Sequence, residues 1–290
     1  MRWQKNLWWF AAPSFLLLAA VMFYPLFSAI RLSVFDYYLV RPNDATFVGL
    51  DNYIDLITEG RFWSSLSNTM LIAGGSVLLE FVLGLAVALC LYSLQRGARL
   101  FLVLQLFPLI ITPVVAALFL KWMFVARWGL IDASLASFDL TGPNWLGSPA
   151  WAKLTVILAD AWKFTPFMIL VLYAGLQSID RNLIDSGRID GASGWQLLYH
   201  VIIPALRPLI LFVLIIRIMD AFRFFDTIYV LTGGGPGTAT ETLTIYTFSL
   251  GFRQLEMGKA AALGVVTLVL VSVLVMATAY LLYRREKGAF

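Results

Sequence analysis

Ionisable residues lie deep inside long apolar stretches of this chain, among them Glu80, Asp160, Lys163, Arg217, Asp220, Arg223 and Asp226. A charge at the centre of a bilayer costs about 2.5 to 3.5 kcal/mol on insertion scales, so each one needs a counter-charge or a wetted cavity. Arg217, Asp220, Arg223 and Asp226 recur every third residue with alternating sign, which on one helix sets successive pairs side by side. Lys163 falls one turn from Asp160. Two readings are open. The charges form salt-bridged structural ladders, or they face a central pathway and, with Trp162, Phe224 and Tyr229, offer polar and stacking contacts to a hydroxylated solute. One arrangement can serve both.

Other chemistries lack their residues. Cys90 is the single cysteine, so no disulfide closes within the chain and no cysteine cage or redox pair exists; its apolar surroundings read as packing. His200 is the single histidine and has neither a second histidine for a metal nor a nucleophile beside it. Gly258 and Lys259 lack the upstream glycine and the following Ser or Thr of a phosphate loop, so any ATP hydrolysis belongs to another subunit. The pI near 9.2 does not point to nucleic acid, because the basic residues are scattered among apolar segments and form no stripe.

The elements that must position these charges are membrane helices. Of 290 residues 60% are hydrophobic and only 13% charged, with a mean hydropathy of +0.83, where a soluble domain carries roughly 25% charged residues. A crossing needs about 20 apolar residues. Six stretches qualify, at about 7–34, 66–92, 100–125, 154–176, 203–231 and 260–283. The first is too long, and too poorly followed by a small-residue cleavage site, for a removed signal peptide. Lysine and arginine bias orientation: Arg2, Lys5, Arg96, Arg99, Arg181, Arg188, Arg207, Arg284, Arg285 and Lys287 fall on one side, Arg41, Arg61, Arg127, Arg253 and Lys259 on the other. The expectation is that both termini are cytoplasmic. The chain is expected to be one all-α membrane domain over residues 1–290, without a soluble domain or internal repeat.

Between crossings, Leu50, Tyr53, Ile54 and Ile57 have the spacing of a short amphipathic helix lying on the membrane surface. Trp145 and Trp151 suit an interfacial belt. Pro25, Pro108, Pro113, Pro166 and Pro208 are expected to kink helices whose freed carbonyls neighbours satisfy. Gly233, Gly234, Gly235, Pro236 and Gly237 make a turn no helix can enter.

The most structured polar segment is residues 180–204. Asp180 or Asn182 can cap a short helix, Gly191 suits its end, and Ser193 with Gln196 makes a capping box that starts a second helix. Helix, sharp corner and helix form a knuckle stiff enough to transmit force; by pattern alone it is equally an ordinary capped connection.

This segment resembles the cytoplasmic signature of permease subunits of binding-protein-dependent ATP-binding-cassette importers: Glu-Ala-Ala, three residues, Gly, nine residues, then Ile-x-Leu-Pro. Asp185, Ser186 and Gly187 occupy the first three positions, Gly191 the glycine, and Val201, Ile203 and Pro204 close the pattern. FVGLDNYIDLI at 47–57, NTM at 68–70, NWLG at 144–147, GLQSI at 175–179 and LTGGGPGTATETL at 231–243 look like the carbohydrate branch of the family, similar to maltose and glycerol-phosphate permeases. The resemblance implies a type I importer permease fold of six transmembrane helices. It makes the knuckle a coupling helix whose Asp185, Ser186, Gly187, Arg188, Asp190, Gly191 and Ala192 dock on a cytoplasmic ATPase dimer that carries ATP and Mg. It implies a second permease as heterodimer partner, membrane lipid around both, and an extracytoplasmic solute-binding protein faced by Gly233 to Gly237. The implied location is the bacterial inner membrane, and the implied cargo is sugar-like. The alternative is an ion-coupled secondary transporter using Glu80 or Asp220 as proton or sodium sites; an intramembrane enzyme lacks a metal or nucleophile constellation.

Overall fold

The computed structural model describes residues 3–94 and 96–284, with backbone only for 3–11 and 281–284. Of the basic residues that bias orientation, Arg2, Arg285 and Lys287 lie outside the described residues, as do the side chains of Lys5 and Arg284. In chain order the elements are α1 Trp3–Leu32, β1 Phe35–Asp36, β2 Thr46–Phe47, α2 Asp51–Thr58, α3 Gly60–Ser93, α4 Ala98–Gln105, α5 Phe107–Ile110, α6 Pro113–Met123 and α7 Leu130–Ala136. They continue with α8 Pro149–Ser178, α9 Arg181–Ile189, α10 Gly194–Leu197, α11 Ile203–Phe222, α12 Asp226–Leu231, α13 Leu243–Phe248 and α14 Met257–Arg284. Among the described residues five helices are long and apolar enough to cross a membrane, or six if one bent pair counts as a single span.

That bent pair corrects the expected third crossing. Residues 98–110 and 113–123 meet at 95°. Pro108 and Pro113 do not kink a continuous helix; each occupies the first turn of a new one, where its missing N–H is no loss. The fifth crossing also lies earlier in the chain than 203–231, over Gly194–Phe222. α11 ends at Phe222, Arg223 takes a non-helical conformation, and α12 restarts at Asp226. The alternating charges therefore do not run along one helix: Arg217 and Asp220 are on α11, Arg223 is at its C-cap, and Asp226 opens α12.

The chain forms two compact units, residues 1–63 with 246–270 and residues 64–245 with 271–290. In the first, β1 and β2 pair antiparallel, Phe35 against Phe47. The Asn52 amide on α2 donates to the carbonyls of Ser33 and Phe35, both at 2.9 Å, and Leu56 is fully buried. Leu50, Ile54 and Ile57 of the predicted apolar stripe stay more than half exposed, whereas its fourth member, Tyr53, donates its hydroxyl to Ser33 at 2.6 Å and with Asn52 and Leu56 holds the helix to the unit. Glu59 accepts from Lys259 at 2.6 Å and from the Tyr246 hydroxyl.

In the second unit, α3, α8, α9 and α11 share a core of Ala88, Leu91, Leu172, Leu176, Ile184 and Leu206. A second core joins Ile72, Leu120, Phe124, Val156, Ile228 and Ile245 from α3, α6, α8, α12 and α13. Cys90 is exposed and packs into neither, contrary to its sequence reading.

Candidate functional site

The deepest polar contacts in the second unit gather on Arg217. Its Nε donates to Glu80 at 2.6 Å and its Nη2 to the other Glu80 oxygen at 2.7 Å, a bidentate pair between α3 and α11. The same Nη2 donates to Asp160 on α8 at 3.0 Å, Asp220 approaches Nη1 at 3.6 Å, and the guanidinium lies 3.9 Å over the Phe164 ring. Glu80, Asp160 and Arg217 are each at most 1% exposed. A planar fork can satisfy two carboxylates at once, which is why arginine and not lysine suits this position. The pairing anticipated for Asp160 and Lys163 does not form: no ion pair within 4 Å joins them. Asp160 is taken by Arg217, and the Lys163 ammonium instead donates to the carbonyls of Ile111 and Pro108.

Next to this triad is a polar recess of about 240 Å³ lined by Pro113, Phe164, Asp220, Arg223, Phe224, Phe225, Asp226 and Thr227. Asp220, Arg223 and Asp226 are exposed there because the break between α11 and α12 turns the backbone and brings residues from two helix ends to one wall. Carboxylates and a guanidinium beside phenyl rings can bind hydroxyls and stack on a sugar face. Tyr229 stacks on Phe225, with centroids 5.1 Å apart. Trp162 is elsewhere, in an apolar recess with Leu79, Leu104, Phe107 and Pro108, so the structure does not bring it to the residues it was grouped with. Phe164 and Phe225 were missed. Phe164 directly succeeds Lys163, but nothing in the sequence says that it would face Arg217.

The turn after α12 is not slack. Gly233, Gly234 and Gly237 have positive φ and Gly235-Pro236 is cis. The Asn68 amide of α3 donates to the carbonyls of Thr238 and Glu241 at 2.9 and 3.1 Å, and Thr69 accepts from the Leu243 N–H at 2.9 Å. Another loop is pinned by Asp132, whose carboxylate accepts from the Arg127 N–H at 2.6 Å and from the Trp145 indole at 2.7 Å. These donors favour the charged form and hold its pKa below the usual carboxylate value.

The knuckle obeys its sequence signals closely. The Asp180 carboxylate caps α9 by accepting from the Asn182 N–H at 2.9 Å. At the other end Ala192 N–H donates to Gly187 O and Gly191 N–H to Arg188 O, at 3.0 and 3.1 Å, with Gly191 at φ +80°. That is a Schellman closure, which asks for glycine at the left-handed position. Ser193 and Gln196 make the reciprocal capping box, and the helix then runs through one π turn at Leu198–Ile202 into α11. Gly187, one of the departures from the Glu-Ala-Ala pattern, has a packing reason: a Cβ there would lie 2.6 Å from Cδ2 of buried Leu197. Ser186 bonds the Asn182 carbonyl, and Asp185 pairs loosely with Arg188 at 3.4 Å, both exposed. Asp190, Gly191, Ile189 and Trp195 present an exposed surface around the corner, Ile189 and Trp195 being 86% and 80% exposed. Those two apolar residues were not singled out from sequence, although an exposed Trp beside a capping box was there to notice.

Residues 80–288 match the family described as binding-protein-dependent transport system inner membrane component. The trehalose/maltose transport system permease protein MalF of Thermococcus litoralis is 38% identical over 225 residues, covering 78% of this chain and 76% of that one. The trehalose transport system permease protein SugA of Mycobacterium tuberculosis is 38% identical over 253 residues, covering 87% and 79%. In fold, a bacterial alginate ABC transporter, solved in complex with an alginate pentasaccharide-bound periplasmic protein, superposes with a TM-score of 0.84 at 21% identity, over 99% of this chain and 96% of that one.

Proposed function

The chain belongs to the inner membrane components of binding-protein-dependent transport systems, and from that membership we propose that it forms half of the translocation pathway for a sugar or sugar-like solute. It is a transport subunit and not an enzyme. The observation that carries the pathway reading is the polar recess walled by Asp220, Arg223, Phe224 and Asp226, set among helices that are otherwise apolar. Sugar as cargo rests on relatives named for trehalose and maltose transport and on the hydroxyl-binding and stacking chemistry of that wall.

The assembly is inferred from what the chain lacks. Without a phosphate loop it needs a cytoplasmic ATPase dimer carrying ATP and Mg, which docks on Asp185, Ser186, Gly187, Arg188, Asp190, Gly191 and Ala192, with Ile189 and Trp195 adding apolar surface. A second permease closes the other half of the path, and a solute-binding protein delivers cargo near Gly233 to Gly237. The complex sits in a bacterial inner membrane with both termini of this chain cytoplasmic. Against ion coupling, both acids it would use face the same guanidinium: Glu80 is held bidentate by Arg217 and Asp220 lies 3.6 Å from it.

Co-expression with the neighbouring genes tests the reading. An ATPase should copurify, and uptake of trehalose or maltose into proteoliposomes should require ATP. Uptake that tracks a proton or sodium gradient, with no ATPase bound, overturns it.

A further inference from the structure

Lys163 is only 4% exposed on a membrane-length helix, yet among the described residues no carboxylate lies within ion-pair distance of it. Its ammonium donates instead to the carbonyl oxygens of Pro108 in α5 and Ile111 at its C-cap, on the α5 side of the 95° break before α6. A break of this kind leaves the last carbonyls of one helix without partners. In hydrocarbon no water can take them, so unwound backbone persists only where protein or a cavity satisfies it. Discontinuous membrane helices commonly use such carbonyls to bind a cation. Here the cation is a side chain of the same protein.

The break lies at the edge of the polar recess. Pro113, two residues after Ile111 and the first residue of α6, lines that recess with Asp220, Arg223 and Asp226. Phe164, the neighbour of Lys163 in sequence, lines the same recess and lies under the Arg217 guanidinium. One stretch of α8 therefore holds both the buried triad, through Asp160 and Phe164, and the broken span, through Lys163.

We propose that Lys163 is a positioning residue for transport: it tethers the break in the third span and so fixes the start of α6 as a wall of the pathway, without touching the solute. This rests on reading the polar recess as the pathway. The fold alone does not require the tether, since α6 is also packed through Ala117, Leu120 and Phe124.

The test uses the complete transporter in proteoliposomes, with Cys90→Ser as background and Thr112→Cys as a reporter at the break. Lys163→Met should speed maleimide labelling of Thr112→Cys and lower the maximal ATP-driven uptake of maltose, each about tenfold, as expected for losing a charge-assisted hydrogen bond. The KM for maltose-loaded binding protein should not move. Lys163→Arg, which keeps N–H donors, should recover most of both. If Lys163→Met does not assemble, Lys163→Gln replaces it in the same comparison. A raised KM with unchanged labelling means that Lys163 binds solute, and unchanged labelling with unchanged uptake means that it does neither; both overturn the proposal. If the wild-type transporter shows no ATP-driven uptake of any sugar, the pathway reading falls, while labelling still reports on the tether.

Discussion

Arg217 and Glu80, 137 positions apart, close on one another with two hydrogen bonds of 2.6 and 2.7 Å in a setting from which water is excluded. Removing one partner leaves an uncompensated buried charge, which costs about 3–5 kcal/mol, whereas removing both can be close to neutral. Arg217→Leu should therefore lower the melting temperature of the detergent-solubilised protein more than Arg217→Leu combined with Glu80→Leu and Asp160→Leu. A triple variant less stable than the single one would show that the triad is net stabilising.

Gly191→Pro should insert normally and fail to hold the ATPase. Proline is locked near φ −65° and lacks the N–H, whereas Gly191 sits at φ +80° and donates to Arg188 at 3.1 Å. Both halves of the Schellman closure are lost, so the corner opens. Membrane yield and copurification of the ATPase, measured on the same preparation, check it; normal assembly and transport would sink the coupling-helix assignment.

Gly187 and Leu197 should be coupled. Alanine at 187 gains about 1 kcal/mol of helix propensity but places its Cβ 2.6 Å from Leu197 Cδ2. Gly187→Ala alone should disturb the angle between α9 and α10 and weaken ATP-coupled uptake, and adding Leu197→Ala should restore it. Additive losses in the double variant would show that the two residues act independently.

The knuckle was readable because its signals are local: a cap, a left-handed glycine and a capping box each act over three or four residues, and all three formed as the sequence indicates. The membrane charges were readable as a set needing partners, and the spacing gave one pair, Arg217 with Asp220 at 3.6 Å, but not the closest ones. Spacing along one segment favoured Lys163 with Asp160 and a ladder from Arg217 to Asp226, whereas tertiary packing offered Arg217 two carboxylates on other helices. Pro108 and Pro113 announced a disturbance in the third span. That the carbonyls at the break are met by an ammonium arriving from α8, some fifty residues further on, is encoded in no local pattern.

Acid should release the loop between α6 and α8 before it unfolds the helices. The N–H groups of Arg127 and Trp145 hold the Asp132 pKa below its ordinary value, so this contact stabilises the fold fully above the unfolded-state pKa of about 3.9 and is lost as pH falls through the lowered folded value. Arg127, held at φ +70°, depends on that bond to keep a conformation that side chains avoid. Amide hydrogen exchange over residues 124–148, corrected for intrinsic rates, should be slow from pH 7 down to about 4 and accelerate below it, while exchange in α8 stays slow. Asp132→Asn, which keeps the shape but loses the charge, should exchange faster than the wild type above about pH 4 and show no acid step. An acid step that survives in Asp132→Asn would assign the transition to another carboxylate.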